Sequence, residues 1–419
     1  QYAPFDAEGG LKFWGHYSSE DLVSWRYEGV PLYPDSNYDC HGVYSGSAIV
    51  EDEKLHLFFT GNIKMDGDYD YINNGRQAST LHVESEDGVH FSAKEVAVDY
   101  RNYPEDYTQH VRDPKVWKDS ADYFMALGGR KKNDQGAVLI YKSEDLKNWD
   151  YDKEITTEEP FGYMWECPDL FEIDGEQALS ISPQGLEREE YRFQNIYQSG
   201  YFLLKEDKIN VKEFQEWDMG FDFYAPQTFE DGVRRILIGW MGIPDADYTN
   251  PTEEAGWQHA LTIPRELSVR DGKLIQEPIE ELKQLRSEDK AVCTFCYGQT
   301  IIMQNAIYEA VVDFKRCREM VMTLREGITL SYKDNILTLN LGVYGSGRST
   351  RKVRLEKLEH LQIFADTSSL EIFVNHGEEV FTTRIYNHYG RLLINGECSG
   401  IMTVYPLKSF EIEGGRHEE

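Results

Sequence analysis

Two short segments combine residue types that could cleave a glycosidic bond. Glu166 is flanked by Met164-Trp165 and Cys167-Pro168, and Asp113 stands between Arg112 and Pro114. Glycoside hydrolysis uses one carboxyl group to protonate the leaving oxygen and a second to attack the sugar or to activate water. The acid must keep its proton near neutral pH, and the apolar neighbours of Glu166 are expected to raise its pKa. The adjacent Arg112 is expected to keep Asp113 ionised. There it would hold sugar hydroxyls through hydrogen bonds that strengthen as oxocarbenium character develops. Ser45, Ser47 and Gln227 are residue types that bind hydroxyls, while Trp14, Tyr44 and Tyr224 are types that stack on a sugar ring. Each of these residues alone is more often a turn cap, a surface ion pair or a core aromatic.

A repeat along the chain changes those odds by bringing the segments together. Ser19-Glu20-Asp21-Leu22 runs to Trp25, Ser85-Glu86-Asp87-Gly88 to Phe91, and Ser143-Glu144-Asp145-Leu146 to Trp149. Each reads as a polar turn closed by an aromatic, about 60 residues from the next, within reach of a propeller repeat. A second series interleaves with it. Strands are expected at 55–60, 123–127, 177–181 and 234–240. Before each lies a segment with a polar head and an apolar tail: Tyr44-Ser45-Gly46-Ser47-Ala48, Arg112-Asp113-Pro114-Lys115-Val116, Glu166-Cys167-Pro168-Asp169-Leu170, and Asp222 to Gln227. Each head would begin the innermost strand of a blade, and such strand starts gather at one end of a propeller axis, where a site is expected. Counting back from the first turn puts the inner strand of the first blade upstream of Gln1, so that blade is expected to be incomplete. A second copy of the chain would cover the strand edge left open.

The pattern changes after Leu267. Pro278 opens a stretch with Ile279, Leu282 and Leu285 on one helical face. From Gln299 onward short strands alternate apolar and polar residues, with a hairpin turn at Asn375-His376-Gly377. The chain is therefore expected to be all-β, with a five-bladed β-propeller over 1–275, a helical linker over 276–298 and a β-sandwich over 299–419.

Composition narrows the partners. Lys and Arg number 43 and Asp and Glu 74, a net charge of −31 that repels nucleic acid and anionic membranes. No apolar run approaches the ~20 residues of a membrane span. The six cysteines are scattered, as in a reducing, cytoplasmic setting, and Cys293-x-x-Cys296 lacks the second pair that zinc requires. Arg130-Lys131-Lys132 is a cationic cluster that reads as a solvated loop or, less often, as a contact for a sugar phosphate.

These motifs resemble glycoside hydrolase family 32, which comprises invertases, sucrose-6-phosphate hydrolases and fructanases. Tyr44 to Ala48 resembles its serine-rich substrate motif, Arg112-Asp113-Pro114 its transition-state motif, and Glu166-Cys167-Pro168-Asp169-Leu170 its acid/base motif. Trp14-Gly15-His16, Gly256-Trp257-Gln258 through Pro264-Arg265, Ser369 to Phe373 and Thr383 to Tyr386 add to the likeness, which covers nearly the whole chain. The resemblance implies a propeller followed by a sandwich. It also implies cleavage of β-fructofuranosyl bonds with retention, through a covalent fructosyl-enzyme, without metal or cofactor. It assigns Glu166 as acid/base and Asp113 as stabiliser, with Gln1, Trp14, Tyr44, Ser45, Arg112, Tyr224 and Gln227 toward the sugar. The family's nucleophile, an Asp in a Trp-Met-Asn-Asp-Pro-Asn-Gly type motif, has no counterpart in these 419 residues. That departure sustains one alternative, a non-catalytic carbohydrate-binding homologue.

Overall fold

The computed structural model describes residues 3–7, 9–204, 209–298, 300–303, 306–387 and 390–414. Blades two to four are antiparallel four-stranded sheets whose strands follow chain order, and the fifth adds a short strand, Ala260–Leu261, beside Arg234–Met241. Their inner strands are Val43–Glu51, Tyr107–Asp119, Met164–Ile173 and Tyr224–Asp231. The first sheet contains Trp14–Ser18 and Ser24–Leu32. Its outer neighbour is Glu411–Glu413, which returns from the C-terminal end of the chain and pairs in parallel with Ser24, Trp25 and Arg26. The expectation that everything beyond 299 belongs to the sandwich is therefore corrected at its last strand.

The repeated Ser-x-Asp segments are one turn built three times. Asp21, Asp87 and Asp145 each accept two backbone N–H groups, from Val23 and Ser24, Val89 and His90, and Lys147 and Asn148. Leu22, Gly88 and Leu146 take left-handed φ values of 58°, 72° and 62° at the same place. The Trp25 and Trp149 indoles donate to Leu22 and Leu146 carbonyls. Side-chain capping of turn amides is what Ser and Asp do well. Those amides hold the Asp145 carboxyl down at about 2.

The fifth blade runs through its outer strand Lys273–Pro278, and the first strand of the second domain begins at Ala291. The connection is therefore shorter than 276–298, and its helical part is a single 3-10 segment, Glu280–Leu285, that buries Leu282 and Leu285. In the sandwich, the long strand Tyr308–Arg325 pairs along one edge with Gly390–Pro406. Along the other it pairs first with His360–Ala365 and then with Ile328–Lys333, so the sheet curls round its own core. Tyr308, Ala310 and Val312, then Met320, Met322 and Leu324, are the inward members of that alternation.

The two domains meet on buried charge. The Arg265 side chain is fully buried, with Nη1 3.2 Å from Asp218 and 2.9 Å from Gln276, and Nη2 2.8 Å from Glu371 and 2.6 Å from Thr382. Burial raises the pKa of Asp218 and Glu371, and Arg265 opposes it. Gly377, at φ 82° in the expected hairpin, lies so close to the Gln276 backbone that a Cβ would collide with it. Arg265→Met leaves two buried carboxylates without their cation and is expected to cost about 3–5 kcal/mol. Because those carboxylates can then take up protons, the deficit in urea unfolding shrinks from pH 8 to pH 5.

Candidate active site

The four inner strands of blades two to five break register at equivalent points: between Val43 and Gly46, Arg112 and Lys115, Glu166 and Asp169, and Tyr224 and Gln227. In the last three the next residue has positive φ: Asp113 at 65°, Cys167 at 48° and Ala225 at 49°. Pro114, Pro168 and Pro226 follow. A non-glycine residue persists at positive φ where surrounding contacts over-determine it. Those contacts are present. Asp113 N–H donates to Thr60 Oγ1 at 2.9 Å, Cys167 N–H to Asp113 Oδ2 at 3.1 Å, and Ala225 N–H to Ser199 Oγ at 3.1 Å. A bulge re-aims the side chain beside it. Arg112, Glu166 and Tyr224 thus occupy one equivalent position on successive blades, and their side chains meet.

Glu166 is the centre of that meeting. Its Oε1 accepts from Arg112 Nε at 2.9 Å and Nη2 at 2.6 Å. Its Oε2 accepts from the Tyr224 hydroxyl at 2.6 Å and from Gln184 Nε2 at 2.7 Å. The apolar seat expected for Glu166 is corrected. Met164 and Trp165 are wholly buried in the blade, and the Trp165 indole donates to the Phe161 carbonyl. The carboxyl itself faces three polar donors. Burial, with Glu166 beside it, raises the Tyr224 hydroxyl far above its ordinary value, so it remains a phenol that donates.

Asp113 is also corrected. Arg112 directs its hydrogen bonds to Glu166 and comes only within 3.9 Å of Asp113 Oδ2. Burial pushes the Asp113 carboxyl up to about 6; Arg112 opposes that rise and Glu166 adds to it. The arginine next to it in sequence therefore does not decide its charge. Burial also works against the charge on Arg112, but Glu166 and Asp113 outweigh it and raise the pKa of the guanidinium. His110 steadies that cation. Its Nε2 lies 2.8 Å from the Tyr71 carbonyl, which requires a proton there, so Nδ1 accepts from Arg112 Nη1 at 3.0 Å. Burial, Arg112 and Arg76 lower the His110 pKa to about 3, keeping it neutral.

The other expected residues separate. Trp14 and Tyr44 are half-buried and joined by the Trp14 indole donating to the Tyr44 carbonyl at 3.1 Å. Ser45 lies at the bulge of its strand. Ser47 ties two blades by accepting from Val116 N–H at 3.0 Å. Gln227 lies beyond the bulge, where its Oε1 accepts from Lys115 Nζ at 3.3 Å, so it is not among the groups on Glu166. Asp222 is clamped against the sandwich by Arg348, Tyr248 and the Arg384 N–H. Gln1 lies outside the described residues. The Arg130-Lys131-Lys132 cluster is already compensated. Arg130 pairs with Asp134, Lys131 with Asp106 and Glu154, and Lys132 donates to the Glu105 carbonyl. His110, Gln184 and Arg76 went unnoticed in the sequence, although His110 stands two residues before Arg112.

Asp113 yields a pH prediction. Its folded pKa of about 6 exceeds the ordinary 3.8, so the native state holds the extra proton between those values. Stability therefore falls as pH rises from about 4 to about 6 and is level above. Asp113→Asn should stabilise the fold at neutral pH by on the order of 1–3 kcal/mol, with the gain vanishing near pH 4 in denaturant titrations.

Comparison with known proteins agrees with this geometry. Residues 1–278 match the model of the glycosyl hydrolases family 32 N-terminal domain, and 297–404 that of the family 32 C-terminal domain. A sucrose-6-phosphate hydrolase of Bacillus subtilis is 38% identical over 418 residues, covering 96% of this chain and 85% of the relative. One from Staphylococcus xylosus is 36% identical, covering 99% and 87%. Among solved structures, a sucrose-6-phosphate hydrolase from Lactobacillus gasseri superposes with a TM-score of 0.85 at 29% identity, covering 98% of this chain and 87% of that one. A Bombyx mori beta-fructofuranosidase, solved as a mutant in complex with sucrose, gives 0.84 at 30%, covering 99% and 88%. None of these four is described as a non-catalytic sugar binder, and among the described residues no helix is long and apolar enough to cross a membrane. A five-bladed propeller with Glu166 and Asp113 at the heads of its inner strands, joined to a curled β-sandwich, places the chain in glycosyl hydrolase family 32, as a fructosyl hydrolase.

Proposed function

We propose that the chain hydrolyses the β-fructofuranosyl bond of sucrose-type substrates, with Glu166 as acid/base and Asp113 as the group that holds the sugar in the transition state. The observation that carries this is the Glu166 carboxyl fixed by Arg112, Tyr224 and Gln184, with Asp113 Oδ2 3.9 Å from the Nε of the same guanidinium. Glu166 gives a proton to the glycosidic oxygen as the bond from that oxygen to the anomeric carbon breaks. It then takes a proton from the water whose oxygen bonds to that carbon. Asp113 accepts hydrogen bonds from fructosyl hydroxyls that become more acidic as positive charge develops on the ring. Trp14, Tyr44 and Ser45, at the head of the second blade and beside it, line the sugar, and Gln1 and Gln227 are further contacts. Retention through a fructosyl-enzyme is the course that family membership favours, and no residue of this chain is assigned the attacking carboxylate.

The names of the bacterial relatives favour a phosphorylated sucrose as the substrate class. A cytoplasmic setting accords with the six free cysteines. Among the described residues Trp14–Ser18 pairs only with Ser24–Leu32. A second copy aligned on that strand is the assembly we propose, to be checked by sedimentation.

Glu166→Gln tests the acid. Turnover of sucrose should fall about 10²–10⁴-fold. An aryl fructoside with an acidic leaving group should lose much less in the cleavage step, because its departing oxygen needs no proton. Full turnover of sucrose by the variant would remove Glu166 from the role.

A further inference from the structure

Lys64 and Arg76 are Cα partners on neighbouring strands of the second blade. Like charges directly opposite one another destabilise a sheet. This chain has 74 acidic residues against 43 basic ones, so counter-ions are plentiful. Yet among the described residues neither cation has a carboxylate partner. The Arg76 guanidinium donates one hydrogen bond, Nη1 to Asn62 Oδ1 at 3.3 Å, and its Nε is buried with none. The Lys64 ammonium sits 5.7 Å over the Tyr71 ring. Asp70, in the loop between the two strands, turns its carboxylate onto the N–H groups of Ile72, Asn73 and Asn74 instead.

Three other cations of the propeller are neutralised. Arg112 has Glu166, Lys131 has Asp106 and Glu154, and Lys94 has Asp35 and Asp39. Arg76 lies within electrostatic range of Arg112, Tyr44 and Glu166, and burial lowers its pKa, as it does that of Lys64.

We infer that Lys64 and Arg76 form an anion subsite beside the proposed active site, which takes the phosphate of a phosphorylated β-fructofuranoside. A phosphate brings the negative charge and acceptor oxygens that a guanidinium binds well, and Lys64 adds a point charge. Its negative charge also cancels the repulsion across the two strands. The assignment of a sugar to that phosphate rests on the fructosidase reading; the binding of the anion does not.

Two measurements decide it. Calorimetry with inorganic phosphate should show saturable binding to the wild type that Arg76→Gln weakens about 10- to 100-fold and Arg76→Lys weakens less. Without phosphate, Arg76→Gln should melt no lower than the wild type, since it relieves a repulsion. In kinetics, the ratio of kcat/KM for sucrose 6-phosphate to that for sucrose should fall by a similar factor in Arg76→Gln and in Lys64→Gln. Equal phosphate binding by the wild type and the double variant Lys64→Gln/Arg76→Gln, or an unchanged ratio of the two sugars, would overturn the subsite. If the wild type cleaves neither sugar, the fructosidase reading fails, and the phosphate titration still decides the subsite.

Discussion

One buried guanidinium organises the end of the propeller where the inner strands bulge. Arg112 is 8% exposed and reaches two carboxyl groups from different blades, at 2.6 Å for Glu166 and 3.9 Å for Asp113. At that depth the cation and the carboxyl groups depend on one another, because a low local dielectric makes an unpaired charge costly. His110 contributes a neutral ring, fixed in one tautomer by a backbone carbonyl, and so adds an acceptor without adding charge. Asp113 in turn accepts the N–H of Cys167, the residue after Glu166. The two carboxyl groups are thus tied through side chain and through backbone.

That arrangement also draws on the second domain. Tyr224, which donates to Glu166, begins the inner strand of the fifth blade two residues after Asp222. The Asp222 carboxyl accepts from Arg348, from Thr383 and from the Arg384 N–H, all in the sandwich. The same boundary holds Arg265 between Asp218 of the propeller and Glu371 of the sandwich. Buried ion pairs contribute modestly to net stability but strictly limit which surfaces can meet. Here they set the position of the fifth blade, and with it one of the three donors to the Glu166 carboxyl.

Much of the architecture is legible before any coordinates. The Ser-x-Asp turns recur because a short acidic side chain capping two amides is a local device, complete within about five residues. The strand pattern of the sandwich shows because one face of each strand is buried, which forces alternation. The C-terminal strand on the first blade was not legible, since three residues paired with a strand nearly 400 positions away leave no local trace. Nor was the environment of Glu166. Its sequence neighbours are apolar, but a bulge turns its carboxyl away from them.

By itself the sequence determined the blades, the two-domain order and the four inner-strand segments, because periodicity and turn chemistry are local properties. It also determined the family, through the Arg112-Asp113-Pro114 and Glu166-Cys167-Pro168-Asp169-Leu170 motifs. Only the tertiary structure decided which groups touch. It gave Arg112 to Glu166 rather than to its neighbour Asp113, placed Gln227 among the ties between blades, and left Lys64 and Arg76 facing each other without a counter-ion among the described residues. Electrostatic partners are chosen by distance and burial in three dimensions, and adjacency along the chain carries little of that information.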